Sequence, residues 1–260
     1  MPAPHEVVAP PEWRCIDFIS DLHLAADTPN AFAAWRDYLL GTPAQAVFIL
    51  GDLFDAWVGD DARHEGFEAE GAAVLAAAAT QRSVSFMVGN RDFLLGEAML
   101  AACGVAPLAD PTVLVAFGQR VLLTHGDAWC LGDVEYQRFR RQVRDPAWQA
   151  QVLSRPLAER RSMARSLRSA SEAAAPSHPD AWADVDTATA LACMRAAGTP
   201  TLVHGHTHRP ATETLAPGAL RHVLSDWELD HGGAPRSEVL RWRASGWSRT
   251  VPAEAGRPAR

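Results

Sequence analysis

The 260-residue chain is 48% hydrophobic, ample for a core, and its length fits one large domain or one domain carrying a sizeable insertion. A formal net charge of −7 argues against a general nucleic-acid binder, and no run of 18 apolar residues offers an ordinary membrane-spanning helix. Four scattered cysteines (Cys15, Cys103, Cys130, Cys193) with no Cys-x-x-Cys suggest neither a disulfide framework nor a Cys-rich zinc site, and fit a reducing compartment.

Residues 1–13 contain four prolines, lack the basic start and apolar core of a signal peptide, and are expected to be a loose tail. Residues 14–20 read as the first strand. Phe32, Trp35 and Leu39 lie at helical spacing within Ala31–Leu40, and Thr42-Pro43 breaks that helix. Ala46–Leu50 is apolar throughout, as a strand buried on both faces should be. The Ala-rich stretch Phe67–Thr80 favours helix, Val84–Val88 reads as strand, and Phe93–Ala102 as a short helix ending near Gly104. Pro107–Phe117 leads into a strand, Gly118 marks a hairpin turn, and Arg120–Thr124 is its partner. From Asp133 to about Ala174 no strand pattern occurs, only Arg-rich helical sequence punctuated by Pro146 and Pro156. Asp186–Ala197 returns to helix and Thr201–Val203 to strand. The alternating stretches after Pro210 read as antiparallel strands, and residues 252–260 as a frayed end. The domain therefore spans 14–251, with a helical cap inserted at about 133–180.

One event recurs along this order: an apolar run ends, and a metal-ligand side chain follows. CIDFIS leads to Asp21 and His23, AVFIL to Asp52, SVSFMV to Asn90, RVLLT to His125, and TLV to His204, His206 and His208. Residues i and i+2 face the same way on an extended strand end, so Asp-x-His and His-x-His can each serve one centre. Gly51 and Gly89 precede their ligands and permit a tight turn and close approach. The set Asp21, His23, Asp52, Asn90, His125, His206 and His208 mixes hard carboxylates with imidazoles. That mixture suits Mn²⁺, Fe²⁺ or Zn²⁺, and seven donors suit two ions sharing a bridging carboxylate. His204 either faces the other way or orients a ligand.

The insertion holds nine Arg between residues 136 and 168, against Asp145 and Glu159. It reads either as a solvated helical surface or as a basic, partly apolar cap for an anionic amphiphile or an anionic membrane.

Asp-x-His, Gly51-Asp52-x-x-Asp55, Gly89-Asn90-Arg91-Asp92, His125-Gly126-Asp127 and Gly205-His206-Thr207-His208 together resemble the calcineurin-like metallophosphoesterase family, over about residues 15–245. The Arg91 variant of the third motif, the HGDAWCLGD stretch and the helical insertion resemble the branch that hydrolyses UDP-2,3-diacylglucosamine in lipid A biosynthesis. The resemblance implies an α/β, four-layer αββα sandwich with two Mn²⁺ ions. Asp21, His23, Asp52 and His208 would hold one ion; Asp52, Asn90, His125 and His206 the other. A metal-bound hydroxide would attack the α-phosphorus, giving UMP and 2,3-diacylglucosamine 1-phosphate. Asp52, Asn90, Arg91 and His125 are the implied catalytic set, with Arg91 a bidentate phosphate clamp in place of a protonating histidine.

Substrate contacts carried over from that branch fall on Asn90, Arg91, His206, Asp133 and Ser171, and on Ala175 and His178, where the branch has Asn and Lys. Asp55, Asp92, Asp127 and His204 are expected to orient other side chains. A nucleotide-activated, diacylated glucosamine lipid is thus the expected partner of a monomer bound peripherally to the cytoplasmic face of a bacterial inner membrane, with no nucleic acid involved. Two other readings remain: a dinuclear phosphodiesterase or nucleotide pyrophosphatase with another substrate, and a binding or scaffold protein on the same fold.

Overall fold

The computed structural model describes residues 4–174, 183–232 and 234–257, without the side chains of 170–174. The elements run β1 (His5–Val8), β2 (Ile16–Ile19), α1 (Pro29–Gly41), β3 (Ala46–Leu50), α2 (Gly66–Ala79), β4 (Ser83–Met87), α3 (Glu97–Cys103), β5 (Ala106–Pro107), β6 (Thr112–Ala116) and β7 (Gln119–Thr124). Then come α4 (Val134–Val143), α5 (Pro146–Leu153), α6 (Leu157–Ala174), α7 (Thr187–Ala197), β8 (Thr201–His204), β9 (Ala211–Ala216), β10 (Ala219–Val223), β11 (Val239–Arg243), β12 (Gly246–Thr250) and α8 (Pro252–Ala255).

Two six-stranded sheets form, ordered β1-β6-β7-β8-β10-β9 and β12-β11-β2-β3-β4-β5. The period-2 alternation of β3 shows how they stack. Ala46, Phe48 and Leu50 face the other sheet and meet Leu114, Val121, Leu123 and Val203, while Val47 and Ile49 face Trp35, Leu39, Leu75 and Met99 of the helices. On the far side, Val113, Leu122 and Leu202 pack against Ala190, Cys193 and Met194 of α7. The result is an αββα sandwich in which the central strands, β2 and β3 among them, are buried on both faces, while the edge strands β1, β5, β9 and β12 are partly exposed. Among the described residues no helix is long and apolar enough to cross a membrane.

Three expectations are corrected. Residues 5–8 are not part of a loose tail: β1 adds to a sheet edge, pairing in parallel with β6 from His5↔Thr112 to Val8↔Val115. The C-terminal end is not frayed from Pro252, because α8 buries Pro252 and Ala255, and the Ala255 carbonyl accepts from Arg241 Nη2 at 2.9 Å. Arg241 is itself held by Asp17 through Nε (2.7 Å) and Nη2 (2.7 Å), with Tyr38 and Thr42 donating to the same carboxylate. Finally, α3 begins at Glu97 rather than Phe93. Asp60, from a distant turn, accepts the Gly96 and Met99 amides at 2.9 and 2.8 Å and fixes the helix start there.

Among the described residues the insertion forms three helices, two of them with local start signals. Asp133 caps α4 by accepting the Tyr136 amide (2.9 Å), and Asp145 caps α5 by accepting that of Trp148 (2.9 Å). Its arginines are mostly not free. Arg140 and Arg144 face Asp127, Arg160 grips Asp61, Arg161 reaches Glu65 and Glu68, and Arg168 pairs with Asp55. Positive charge that reads as a basic surface in one dimension is spent fastening the cap to acidic positions of the sandwich. Arg141 and Arg165 make no ion pair among the described residues.

Candidate metal centre

The carboxyl ends of β2, β3 and β4 from one sheet, and of β7 and β8 from the other, converge on one edge of the sandwich. Strand pairing puts them in register: Ile19 opposes Ile49, Ile49 opposes Phe86, and Thr124 opposes His204. Past each strand end the chain must turn sharply to aim its ligand inward. Asp21, His23, Asp52, His206 and His208 all have positive φ, between 48° and 67°. Such conformations disfavour L-residues by about 1–3 kcal/mol each and persist where the surroundings over-determine them.

The glycines before the ligands are required by space. A Cβ on Gly51 would lie 2.7 Å from Gly89 Cα and 2.5 Å from His125 Nδ1; one on Gly89 would lie 2.8 Å from Asp52 Cγ; one on Gly205 would lie 2.8 Å from Ser20 Cβ. The ends of β3 and β4 thus meet backbone to backbone, and the end of β8 is pressed against the Ser20 and Asp21 side chains.

The ligand atoms form two neighbouring groups. In one, His208 Nε2 is 3.2 Å from His23 Nε2 and 3.5 Å from Asp21 Oδ1. In the other, Asn90 Oδ1 is 2.9 Å from His125 Nε2 and 2.7 Å from His206 Nδ1. Asp52 lies between them, with Oδ2 4.0 Å from His23 Nδ1 and Oδ1 3.8 Å from His125 Nε2. Asp21 also reaches both sides, standing with His23 and His208 and with Asp52 and His125. Donor atoms on one divalent ion, each about 2.0–2.2 Å from it, stand about 3 Å apart. Both groups have that spacing, and the mixed oxygen and imidazole donors suit a borderline divalent metal. All seven ligands expected from the sequence are brought together.

Hydrogen bonds orient these donors. His125 Nδ1 faces the Leu50 carbonyl at 2.8 Å, which puts the proton there and leaves Nε2 for an ion. Burial opposes charge on His125, but Asp52, Asp21 and Asp127 outweigh it and lift the imidazole to about 9, so an ion held at Nε2 would displace a proton there. Burial pushes Asp52 up to about 7, with Asp92 and Asp21 adding to the shift. For His206, burial and the neighbouring His125 drive the pKa down to about 3, which keeps the neutral ligating form at physiological pH.

The residues expected to orient others take particular roles. Asp92 touches no histidine. Its Oδ1 accepts the Gly89 amide (2.7 Å) and its Oδ2 the Leu53 amide (2.8 Å), clamping the β3 and β4 loops together. Asp127 accepts from Tyr136 Oη (2.6 Å) and Arg140 Nε (2.7 Å), so it docks the first cap helix. Burial works against its charge, but His125, Arg140 and His206 hold it well below the usual carboxylate range. Asp55 pairs with Arg168 of the cap at 2.8 Å. His204 is fully buried, with Nδ1 2.8 Å from the Gly205 carbonyl and no hydrogen bond to Nε2 among the described residues.

Arg91 donates its backbone amide to Asp52 Oδ1 (2.8 Å), while its half-buried guanidinium makes no ion pair among the described residues; its charge is felt at His23. One Asp133 oxygen is committed to capping α4. Ser171 lies on α6 with its side chain outside the described set, and Ala175 and His178 lie outside the described residues.

The structure adds residues that sequence reasoning missed. Tyr136, Arg140 and Arg144 recur at i, i+4 and i+8, one helical face. Tyr136 lies against His206 (ring centroids 5.6 Å), and Arg144 Nη2 donates to the Gly89 carbonyl at 2.8 Å. That spacing was the available signal. Asp226, 3.6 Å from His208 Nδ1, carried none.

The calcineurin-like phosphoesterase family profile matches residues 16–210. A UDP-2,3-diacylglucosamine hydrolase of Chromobacterium violaceum is 45% identical over 228 residues, covering 84% of this chain and 92% of its own. One from Stenotrophomonas maltophilia is 40% identical over 243 residues, covering 89% and 96%. Among solved structures, a novel archaeal phosphodiesterase superposes with a TM-score of 0.46 at 12% identity, covering 91% of this chain and 99% of that one.

Proposed function

This chain belongs to the calcineurin-like phosphoesterase family, and from that premise we propose that it hydrolyses the pyrophosphate of UDP-2,3-diacylglucosamine to UMP and 2,3-diacylglucosamine 1-phosphate. Relatives at 40–45% identity over most of the chain carry that activity in their names. The observation that carries the reading is the convergence of seven donors beside a guanidinium with no ion pair among the described residues.

Asp21, His23, Asp52 and His208 would hold one Mn²⁺, and Asp52, Asn90, His125 and His206 the other. When bound, two such ions lower the pKa of water and neutralise charge on a phosphoryl group. The chain's own residues supply the rest. Asp52 turns one oxygen toward each donor group and so spaces them. Arg91 grips the pyrophosphate with two parallel N–H donors, and needs no labile proton because the departing group is itself a phosphate. Water adds at the α-phosphorus, the bond to the bridging oxygen breaks, and positioning and charge neutralisation do most of the work.

The cap supplies apolar walls for acyl chains. Phe93 of the sandwich meets Trp148 of α5 (centroids 6.1 Å), and Val143 of α4 and Val152 of α5 are themselves buried. Exposed Leu131 and Val134, with Arg141 and Arg165, support reversible, salt-sensitive contact of a monomer with an anionic membrane at the cytoplasmic face.

The test is turnover of UDP-2,3-diacylglucosamine by purified protein with and without Mn²⁺, beside a simple aryl phosphodiester. Mn²⁺-dependent release of UMP, abolished by a chelator, is expected. Turnover of the aryl ester alone would remove the substrate assignment and leave the metal centre standing.

A further inference from the structure

His208 is the most exposed of the seven ligands, its side chain 39% accessible against 23% for His23 and 2% or less for Asp21, Asp52 and His125. It stands on a loop beyond β8 with φ of 53°. An exposed imidazole keeps much rotamer freedom unless something holds it. What faces it is Asp226, from the loop after β10. Asp226 Oδ2 lies 3.6 Å from His208 Nδ1, on the opposite side of the ring from the Nε2 that meets His23 and Asp21.

Asp226 is 5% exposed and its charge is balanced by Arg236, whose Nε donates to Oδ1 at 2.6 Å and whose Nη2 bonds Oδ2. Arg236 is fixed in turn. Its backbone N–H and carbonyl pair with Glu228 at 3.0 and 2.9 Å. The same loop is pinned to the sandwich at two further points. The Trp227 amide donates to the Asp21 carbonyl at 3.0 Å, and the Asp230 carboxylate accepts the Asn30 and Ala31 amides (2.9 and 3.0 Å) at the start of α1, where Thr28 provides no side-chain cap. A connected set of hydrogen bonds and ion pairs thus links the α1 N-terminus, Arg236 and Asp226 to one candidate ligand.

We infer that Asp226, held by Arg236, is a positioning residue that keeps the His208 proton on Nδ1 and its lone pair on Nε2, and so sets the divalent-ion affinity of the Asp21–His23–His208 half of the centre. The inference rests on the two-metal reading above. Carboxylates behind ligating histidines typically contribute 10–100-fold to metal affinity.

Calorimetric titration of the metal-free full chain with Mn²⁺ tests it, comparing the unaltered protein with Asp226→Asn and Arg236→Gln, with urea unfolding of each run alongside. The expected result is about 10–100-fold weaker binding at one of two sites in Asp226→Asn, a smaller loss in Arg236→Gln, and a Mn²⁺ activation curve shifted to higher concentration. Because Arg236→Gln retains Asp226, it keeps the proposal testable if Asp226→Asn fails to fold. Binding at both sites as in the unaltered protein would overturn the inference. So would equal weakening of both sites in proportion to lost stability, which is the signature of a merely structural carboxylate. Failure of the unaltered chain to bind Mn²⁺ would overturn the two-metal reading and this inference with it.

Discussion

Replacing Gly89 with alanine would put a methyl carbon 2.8 Å from Asp52 Cγ, with Asp52 Oδ1 and the Asp52 amide nearer still. Ordinary carbon–carbon contact is about 3.5–4.0 Å, so the ends of β3 and β4 must separate by about 1 Å. Neither side yields easily. Asp52 is 1% exposed and its Oδ1 accepts the Arg91 amide at 2.8 Å, while the Gly89 amide is tied to Asp92 at 2.7 Å and its carbonyl to Arg144 at 2.8 Å. A misplacement of about 1 Å at a reacting centre lowers rates about 10²-fold, and overpacking a tight site destabilises by about 1–3 kcal/mol. Gly89→Ala should therefore lower kcat about a hundredfold, weaken Mn²⁺ binding, and shift the urea midpoint down. Gly218→Ala is the control: it has φ of 78° but nothing within 4 Å of the added carbon, so it should lose some stability and keep its turnover. A Gly89→Ala protein that turns over substrate within a few-fold of the unaltered enzyme would refute the close approach of the two strand ends.

Asp92→Ala would strand the buried Gly89 and Leu53 amides and should lower unfolding free energy in urea by about 2–6 kcal/mol; an unchanged midpoint would contradict the clamp. Arg91→Lys keeps the charge but loses the fork, so kcat/KM should fall roughly tenfold, and roughly a hundredfold for Arg91→Ala, with Mn²⁺ content unchanged. Loss of metal instead would assign Arg91 to the centre itself. Burial, with the charge of Arg249, pushes His222 down to about 4. Between that value and the ordinary ~6.5 the unfolded chain binds the extra proton. This contribution to stability is therefore complete above about pH 6.5 and lost as pH falls toward 4, by about 1–3 kcal/mol. His222→Phe, which keeps the ring against Trp247 (4.5 Å), should flatten that part of the profile; parallel urea curves for the two proteins across pH 4–7 would show that His222 does not titrate this way.

Much of the centre was legible in one dimension. Each ligand lies within a few residues of an apolar strand, and strand ends of parallel sheets gather at one edge, so Asp21, Asp52, Asn90, His125 and His206 follow from hydrophobic runs and spacing alone. The glycines at 51 and 89 were legible for the same reason, since the turn they permit is local. The tail at His5–Val8 was misread because a short strand of mixed character gains its stability from β6, more than a hundred residues away, rather than from its own pattern. The start of α3 was misread because its cap is Asp60.

The cap illustrates the division most clearly. Helical periodicity and the Asp133 and Asp145 caps are local properties, and the sequence determined them, together with the candidate ligand set; the four-layer class came through the family resemblance. Whether the arginines of that insertion face solvent, lipid or protein is not a local property. Asp127, Asp61, Glu65, Glu68 and Asp55 come from separate segments, and only folding brings them opposite Arg140, Arg160, Arg161 and Arg168. The same holds for Asp226 behind His208 and for Asp92 between two loops. A coordinating side chain is placed by the strand that carries it, whereas the group that fixes its orientation is placed by whichever segment packs beside it. The identity of the candidate ligands was therefore written in the chain, and their alignment was decided by tertiary contact.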